Sequence, residues 1–272
     1  MLSSRTTLLF EMSLAYEGLA VLAGYLVGSF SFSRLFVRIF APNCDVTKLE
    51  AKTEGGEPMK MLTYGANAVS LVLGPKLSML VSILDIVKIA IPMLVLKLLF
   101  AADPYYLIFS IAGLVGNNWP LYYKFRGGTG FSVILGSLLI VDYWAALATP
   151  VLGLLIGFFV LGNIGFANLG WLLLMIPWLW IRTFDLSVLL YAVLTAVIAF
   201  LTLIPEMRRY LEFSRQGKKD ALGNTYYESS SMARGMKKIM DWRNNLGKWK
   251  YLLAIMAAAA SIAIFYLIYI LG

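Results

Sequence analysis

Apolar runs separated by polar breaks divide the chain into eight stretches: Leu14–Phe36, Leu77–Leu99, Tyr105–Tyr123, Phe131–Val141, Ala145–Leu161, Leu169–Ile181, Leu186–Ile204 and Tyr251–Leu271. The runs are continuous rather than alternating with a period of two, and several approach the roughly 20 residues that a helix needs to cross hydrocarbon. Helices satisfy their own backbone hydrogen bonds inside a bilayer, so the pattern predicts an all-α, polytopic membrane bundle and not a barrel. Phe131–Val141 is too short to cross alone and reads as a half-helix or tilted segment sheltered by its neighbours. No charged residue occurs between Asp142 and Arg182, and the sequence GNIGFANLG, Gly162 to Gly170, breaks that long stretch in two.

Composition agrees with this picture. Hydrophobic residues make up 60% of the 272 positions and charged residues only 14%, which excludes an ordinary soluble protein. There is no histidine, and Cys44 is the lone cysteine, so a disulfide within the chain, a thiolate zinc site and imidazole chemistry are all ruled out. No metal or cofactor is expected.

The charges orient the bundle. With the N-terminus outside, the loops carrying Arg38, Lys48, Lys52, Lys60, Lys124 and Arg126 face the cytoplasm, as does the segment after Pro205. The opposite loops hold only Asp103, Asp142, Arg182 and Asp185. By the positive-inside rule this predicts a multi-pass plasma-membrane protein with cytoplasmic basic loops. Glu11 and Glu17 interrupt the first apolar region, so that span is expected to be retained rather than cleaved as a signal peptide.

Residues Glu206 to Lys250 carry 11 of the 23 Lys and Arg residues against 5 acidic ones. That density reads as a topology determinant attracted to anionic lipid headgroups. Nucleic acid is not an expected partner, because no aromatic or zinc module accompanies the charge. Three regions result: a membrane domain over 1–217, a basic cytoplasmic linker over 218–250 and an additional membrane helix over 251–272.

Four places carry candidate chemistry. Asp85 and Lys88, three apart on the second run, share a helix face, either as a substrate or ion site or as a structural ion pair. The stretches TYGANAVS (Thr63–Ser70), GNNWP (Gly116–Pro120) and KFRGGTGFS (Lys124–Ser132) all fall at the cytoplasmic end. Glycine turns ahead of a helix make anion-binding nests, and Arg126 is suited to fork two phosphate oxygens. The bland alternative is that Gly127, Gly128 and Gly130 make a tight turn between helices. The spacing is not that of a Walker loop.

The order of these motifs resembles the bacterial acyl-phosphate-dependent glycerol-3-phosphate acyltransferases, the PlsY family, over roughly Tyr25 to Gly217. YLVGSFSF at Tyr25–Phe32 is similar to the family's Y-L-x-G-S-x-P-F. GANAVSLVLG at Gly65–Gly74 is similar to G-A-T-N-V-x-R-x-x-G. Asp85, Lys88 and Pro92 keep the spacing of D-x-x-K-G-x-x-P, and GNNWPLYYKFRGGTG at Gly116–Gly130 resembles G-H-x-F-P-x-x-x-x-F-K-G-G-K-G. The resemblance implies seven family spans plus an eighth, no cofactor, and acyl transfer from acyl phosphate to glycerol 3-phosphate or a related acceptor in phospholipid synthesis. It also implies a site in which Asp85, Lys88, Asn117 and Arg126 carry the chemistry and Gly65, Ala66, Asn67, Gly127, Gly128, Thr129 and Gly130 bind substrate.

This chain departs from the family pattern at several of those positions. Asn117 stands where the family has histidine, Arg126 and Thr129 replace two lysines, Ser31 replaces a proline and Leu71 an arginine. Met61 and Thr63 fall at a serine and an asparagine, Ala68 at another asparagine, and about ten residues are inserted before Gly65. The family's closing H-x-x-N has no counterpart in IPEMRRYLEFSRQG. Lys60, Lys76 and Lys124 are the nearby cations that would compensate. The substitutions motivate a second reading, a catalytically impaired relative acting as a lipid-binding or assembly subunit with a protein partner held through the basic linker and eighth helix. A transporter using Asp85 and Lys88 is a third reading, supported by that charged pair alone.

Overall fold

The computed structural model of the protein describes residues 2–44, 50–52, 58–60, 64–162, 164–215 and 231–271. Within them the order is α1 (Leu2–Ser29), α2 (Phe32–Phe40), β1 (Glu50–Lys52), β2 (Pro58–Lys60), α3 (Ala66–Leu73), α4 (Pro75–Leu99), α5 (Tyr105–Asn118) and α6 (Phe131–Val141). It continues with α7 (Tyr143–Leu155), which runs into a π-helical stretch at Ile156–Leu161, then α8 (Ile164–Thr183), α9 (Leu186–Arg215), α10 (Ser231–Asn245) and α11 (Trp249–Leu271). Helices occupy all eight apolar runs. Among the described residues, five segments are long and apolar enough to cross a membrane: Ser13–Phe40, Pro75–Leu99, Tyr143–Leu161, Leu186–Pro205 and Trp249–Ile270. Phe131–Val141 and Leu169–Thr183 are shorter apolar helices.

The helix ends differ from the sequence pattern for local reasons. The first run is broken, because Ser31 is extended and its hydroxyl accepts from the Arg34 amide at 3.4 Å, starting α2 with an N-cap. α5 ends at Asn118, since Pro120 lacks an amide and pushes Trp119 out of the helical region. The break in the long uncharged stretch is narrower than GNIGFANLG: Gly162 turns the chain at φ +62° and α8 starts at Ile164. The basic segment read as a linker contains α10, and the insertion before Gly65 contains a hairpin in which Glu50 pairs with Lys60.

α1 crosses α5 at backbone contact. Gly24 and Gly28, four apart on α1, meet α5 backbone directly. A methyl group added at Gly28 would lie 2.7 Å from the Gly113 Cα, and one at Gly24 would lie 3.0 Å from the Phe109 carbonyl carbon. Gly116 on α5 reciprocates, with the Ser29 amide 3.0 Å from its missing Cβ. Small residues at this spacing let backbones touch, which is how helices associate where no hydrophobic effect drives them together. Gly136 plays the same part on α6, where a Cβ would stand 2.6 Å from the Ile86 carbonyl oxygen of α4.

A polar pin locks one end of this crossing. The Lys88 ammonium on α4 pairs with Asp85 at 2.7 Å and donates to the Phe30 carbonyl at 2.8 Å and the Gly28 carbonyl at 3.4 Å, with Asn117 Oδ1 at 3.2 Å. Carbonyls at a helix C-terminus have no partner within the helix, and a cation there satisfies them. The α4 pair therefore ties α1, α4 and α5 together, and the side chain of Lys88 is only 7% exposed.

Two expectations follow. Gly28→Leu should cost about 1–3 kcal/mol through overpacking and lower the melting temperature in detergent, whereas Gly18→Leu, whose missing Cβ meets nothing, should leave it unchanged. Lys88→Met should cost about 3–5 kcal/mol by stranding the buried Asp85 carboxylate, and Asp85→Asn in the same chain should recover much of that loss in the same melting measurement.

Candidate functional site

Above the pin lies a cleft of about 180 Å³, walled by six pieces of chain. The end of α1 supplies Gly28 and Ser29, the start of α2 Ser31 and Ser33, and the start of α3 Tyr64, Gly65, Ala66 and Asn67. Ser82 and Asp85 come from α4, Asn117 and Pro120 from the end of α5, and Gly128 to Ser132 from the loop into α6. Three helices thus begin at the wall. The first-turn amides of a helix have no acceptor within it and carry partial positive charge, so the arrangement concentrates donors and positive potential on one small volume.

Backbone bonds set the loops. The Tyr64 amide donates to the Gly127 carbonyl at 3.0 Å, and the Gly128 amide donates to the Asn117 carbonyl at 3.1 Å. Gly65 and Gly128 face each other, a Cβ on the first lying 3.7 Å from the Cα of the second. Gly130 sits at φ +78°, and a side chain there would collide with Leu114 Cδ1 and with Asn118 Oδ1 at 2.5 Å. Ser78 on α4 donates to the Ala66 carbonyl at 2.7 Å, fixing the start of α3.

The predicted site residues divide accordingly. Gly65, Ala66, Asn67, Asp85, Asn117, Gly128, Thr129 and Gly130 line one cleft. Lys88 stands behind Asp85 and is engaged in the pin. Gly127 does not line the cleft; a side chain there would overlap the Asn117 and Asn118 carbonyls, so it serves the turn. The Gly128 amide is already spent on Asn117, which leaves the nest to the start of α6. The Arg126 side chain is exposed and outside the lining, while its carbonyl accepts from the Arg34 guanidinium at 2.5 Å. Lys76 and Lys124 are likewise exposed and away from the lining. Met61, Thr63 and Lys48 lie outside the described residues.

Two features escaped the sequence reading. One is the set of hydroxyls at Ser29, Ser31, Ser33, Ser82 and Ser132, whose signal was the run SFS repeated around Phe30 and Phe32. The other is Arg34, which lies 4.4 Å from the Tyr123 ring centroid and 5.2 Å from that of Tyr64, clasping the two loops from outside. Asp85 is the one charged residue among those lining the cleft.

The family model for glycerol-3-phosphate acyltransferase matches residues 18–212, which leaves α10 and α11 outside the match. The chain is 31% identical over 231 residues to the glycerol-3-phosphate acyltransferase of Shouchella clausii, covering 84% of this chain and 95% of that protein. It is 34% identical over 135 residues to that of Anaeromyxobacter sp. (strain Fw109-5), covering 48% of this chain and 61% of the relative. Among solved structures it is similar in fold to PlsY, an integral membrane glycerol 3-phosphate acyltransferase, in its lysophosphatidic acid form. The TM-score there is 0.58 at 22% identity, over 74% of this chain and 93% of that one. The glycerol 3-phosphate form of PlsY gives a TM-score of 0.57. The resemblance carried by the four motifs is thereby borne out over most of the membrane domain, and the chain belongs to the glycerol-3-phosphate acyltransferase family.

Proposed function

We propose that the protein is a membrane acyltransferase that moves an acyl chain from acyl phosphate to glycerol 3-phosphate, yielding lysophosphatidic acid. One observation carries this reading: segments that resemble the family's motifs wall a single cleft onto which three helix N-termini converge. In the reaction the acceptor hydroxyl oxygen forms the ester bond to the acyl carbon, the bond from that carbon to the phosphate oxygen breaks, and the hydroxyl proton ends on the departing phosphate. Because the leaving group is itself basic, the step does not require the imidazole that this chain lacks. Asp85, Asn117, Thr129, Gly130 and the start of α6 are the residues proposed to hold the reacting groups, with Arg126 and Lys124 contributing charge from outside the cleft. Membrane lipid supplies the acyl-chain environment.

A second reading is favoured by the electrostatics. No Lys or Arg lines the cleft among the described residues, and its one formal charge is negative. A catalytically impaired relative that binds lipid or assembles with a protein partner through the basic segment and α11 fits that charge distribution.

Activity separates the two readings. Purified protein in proteoliposomes given acyl phosphate should release inorganic phosphate only when glycerol 3-phosphate is added, and Gly130→Val should cut the rate by roughly 100-fold, since displacing a wall by about 1 Å is enough for that. Silence of the wild-type protein across phosphorylated and neutral acceptors, with a stoichiometric partner co-purifying, would establish the second reading instead.

The topology proposed is eight membrane segments, with the N-terminus outside and the cleft at the cytoplasmic face of the plasma membrane. It is supported by the charge asymmetry of the loops, with Arg38, Lys124 and Arg126 near the cleft end and only Asp103, Asp142, Arg182 and Asp185 in the opposite loops. Cys44, just past α2, is a built-in reporter. A membrane-impermeant maleimide should modify it in inside-out vesicles and not in intact cells; labelling of intact cells would invert the assignment.

A further inference from the structure

Two residues given no role above, Asn118 and Thr202, complete a line of hydrogen bonds behind the cleft. Lys88 Nζ donates to Asn117 Oδ1 at 3.2 Å, and Asn117 Nδ2 donates to Asn118 Oδ1 at 3.4 Å. Asn118 Nδ2 donates to Thr202 Oγ1 at 2.8 Å, and the Thr202 hydroxyl donates to the Ile198 carbonyl at 2.9 Å. The line joins α4, α5 and α9.

Its direction is fixed at both ends. An ammonium only donates, so Asn117 must turn its oxygen to Lys88. A carbonyl only accepts, so the Thr202 hydroxyl must point its proton at Ile198 and offer a lone pair to Asn118. The amide oxygen and nitrogen of an asparagine are otherwise interchangeable in shape, and here every link allows one orientation alone. Reversing either asparagine would set donor against donor at one end and acceptor against acceptor at the other. Asn118 is 3% exposed, so such a mismatch would go unrelieved by water.

The consequence falls on Asn117, which lines the cleft. Its oxygen is occupied by Lys88, and its Nδ2 borders the glycine loop, 3.5 Å from where a Cβ on Gly128 would stand. Of the two hydrogens on Nδ2, one serves Asn118. We propose that Thr202, on α9 and outside the cleft, is a positioning residue: it holds Asn118 with its oxygen turned to Asn117, anchoring the amide that Lys88 orients, so that Asn117 meets an anionic phosphate oxygen in the cleft as a hydrogen-bond donor. The inference rests on the anion-binding reading of the cleft. It also gives position 117 a defined chemistry in this chain: a neutral, oriented N–H that binds an acceptor and takes up no proton.

Equilibrium binding of radiolabelled glycerol 3-phosphate and of inorganic phosphate to the purified full-length protein in detergent tests it. Thr202→Val keeps the side-chain shape and removes the hydroxyl; it should weaken binding of both probes about tenfold, the size expected when a buried donor loses its partner. Thr202→Ser restores the hydroxyl and should return affinity to within about twofold of wild type, a rescue that a merely space-filling role would not predict. Binding by Thr202→Val within about twofold of wild type overturns the inference and leaves the anion-binding cleft standing. Wild-type protein that binds neither probe overturns both. A measurement without any variant guards against a misfolded mutant: in protein labelled with 15N-asparagine, the side-chain amide protons of Asn118 should exchange slowly, and exchange at the rate of a free amide overturns the chain.

Discussion

The backbone-to-backbone crossing of α1 on α5 is the constraint from which the rest of the cleft end of the bundle follows. Gly24 and Gly28 on one helix and Gly113 and Gly116 on the other leave no room for side chains between them. Close approach brings the unpaired C-terminal carbonyls of α1 beside Asn117, and a buried cation is then needed to satisfy them. Lys88 supplies it, and a buried ammonium in turn requires a carboxylate, which Asp85 provides three residues earlier on the same face. Tyr25 closes the crossing by donating to the Trp119 carbonyl at 2.9 Å, which holds the end of α5 in place. What looks in the sequence like an isolated charged pair in a membrane helix is the last element of a packing problem set by glycines on two other helices.

In the proposed anion-binding reading, the cleft built on this frame draws its positive character from backbone rather than side chains. Asp85 is its one charged lining residue, and its charge is neutralised from behind by Lys88. The remaining contributions are helix N-termini, serine and threonine hydroxyls and one oriented amide. Such groups are weak singly, but they are fixed in place before a ligand arrives and cost nothing to reorganise. The basic residues Lys76, Lys124 and Arg126 stand exposed outside the lining, where charge is screened and acts only at longer range.

Much of this was legible in the sequence, and the limits have physical causes. Apolar runs gave the helices because hydropathy is summed over many residues; their ends were missed where one group decides, as with the Ser31 cap and the single left-handed glycine at Gly162. The motif segments were read correctly as neighbours, since eight of the proposed positions share a wall. Individual roles were less legible. Whether Gly127 faces a ligand or a carbonyl depends on a rotation of one peptide, and whether Arg126 points inward depends on side-chain packing that no spacing encodes. Thr202 left no signal at all: it is one threonine in an apolar helix, distinguished only by what lies opposite it on α5.

The far end of the bundle shows how a short helix recruits the eighth one. α6 has 11 residues and stops at Asp142, whose carboxylate then caps α7 by accepting from the Trp144 amide at 3.0 Å. A carboxylate buried at that position needs further donors, and α8 provides the Trp178 indole at 3.2 Å and the Arg182 guanidinium at 2.5 Å. The same guanidinium reaches the Ile268 carbonyl on α11 at 3.4 Å, and Phe265 packs edge-on against Trp178 with ring centroids 5.3 Å apart. At the opposite end Arg243, on α10 just ahead of α11, donates to the Phe159 carbonyl at 3.3 Å. Because α11 is held at this end by groups that also join α6, α7 and α8, and the α10 segment ahead of it is bonded to Phe159, the extra helix is fastened to the bundle and not merely tethered by the basic segment. The family match stops at residue 212, yet the partners α11 meets at this end, Trp178 and Arg182, both lie within it.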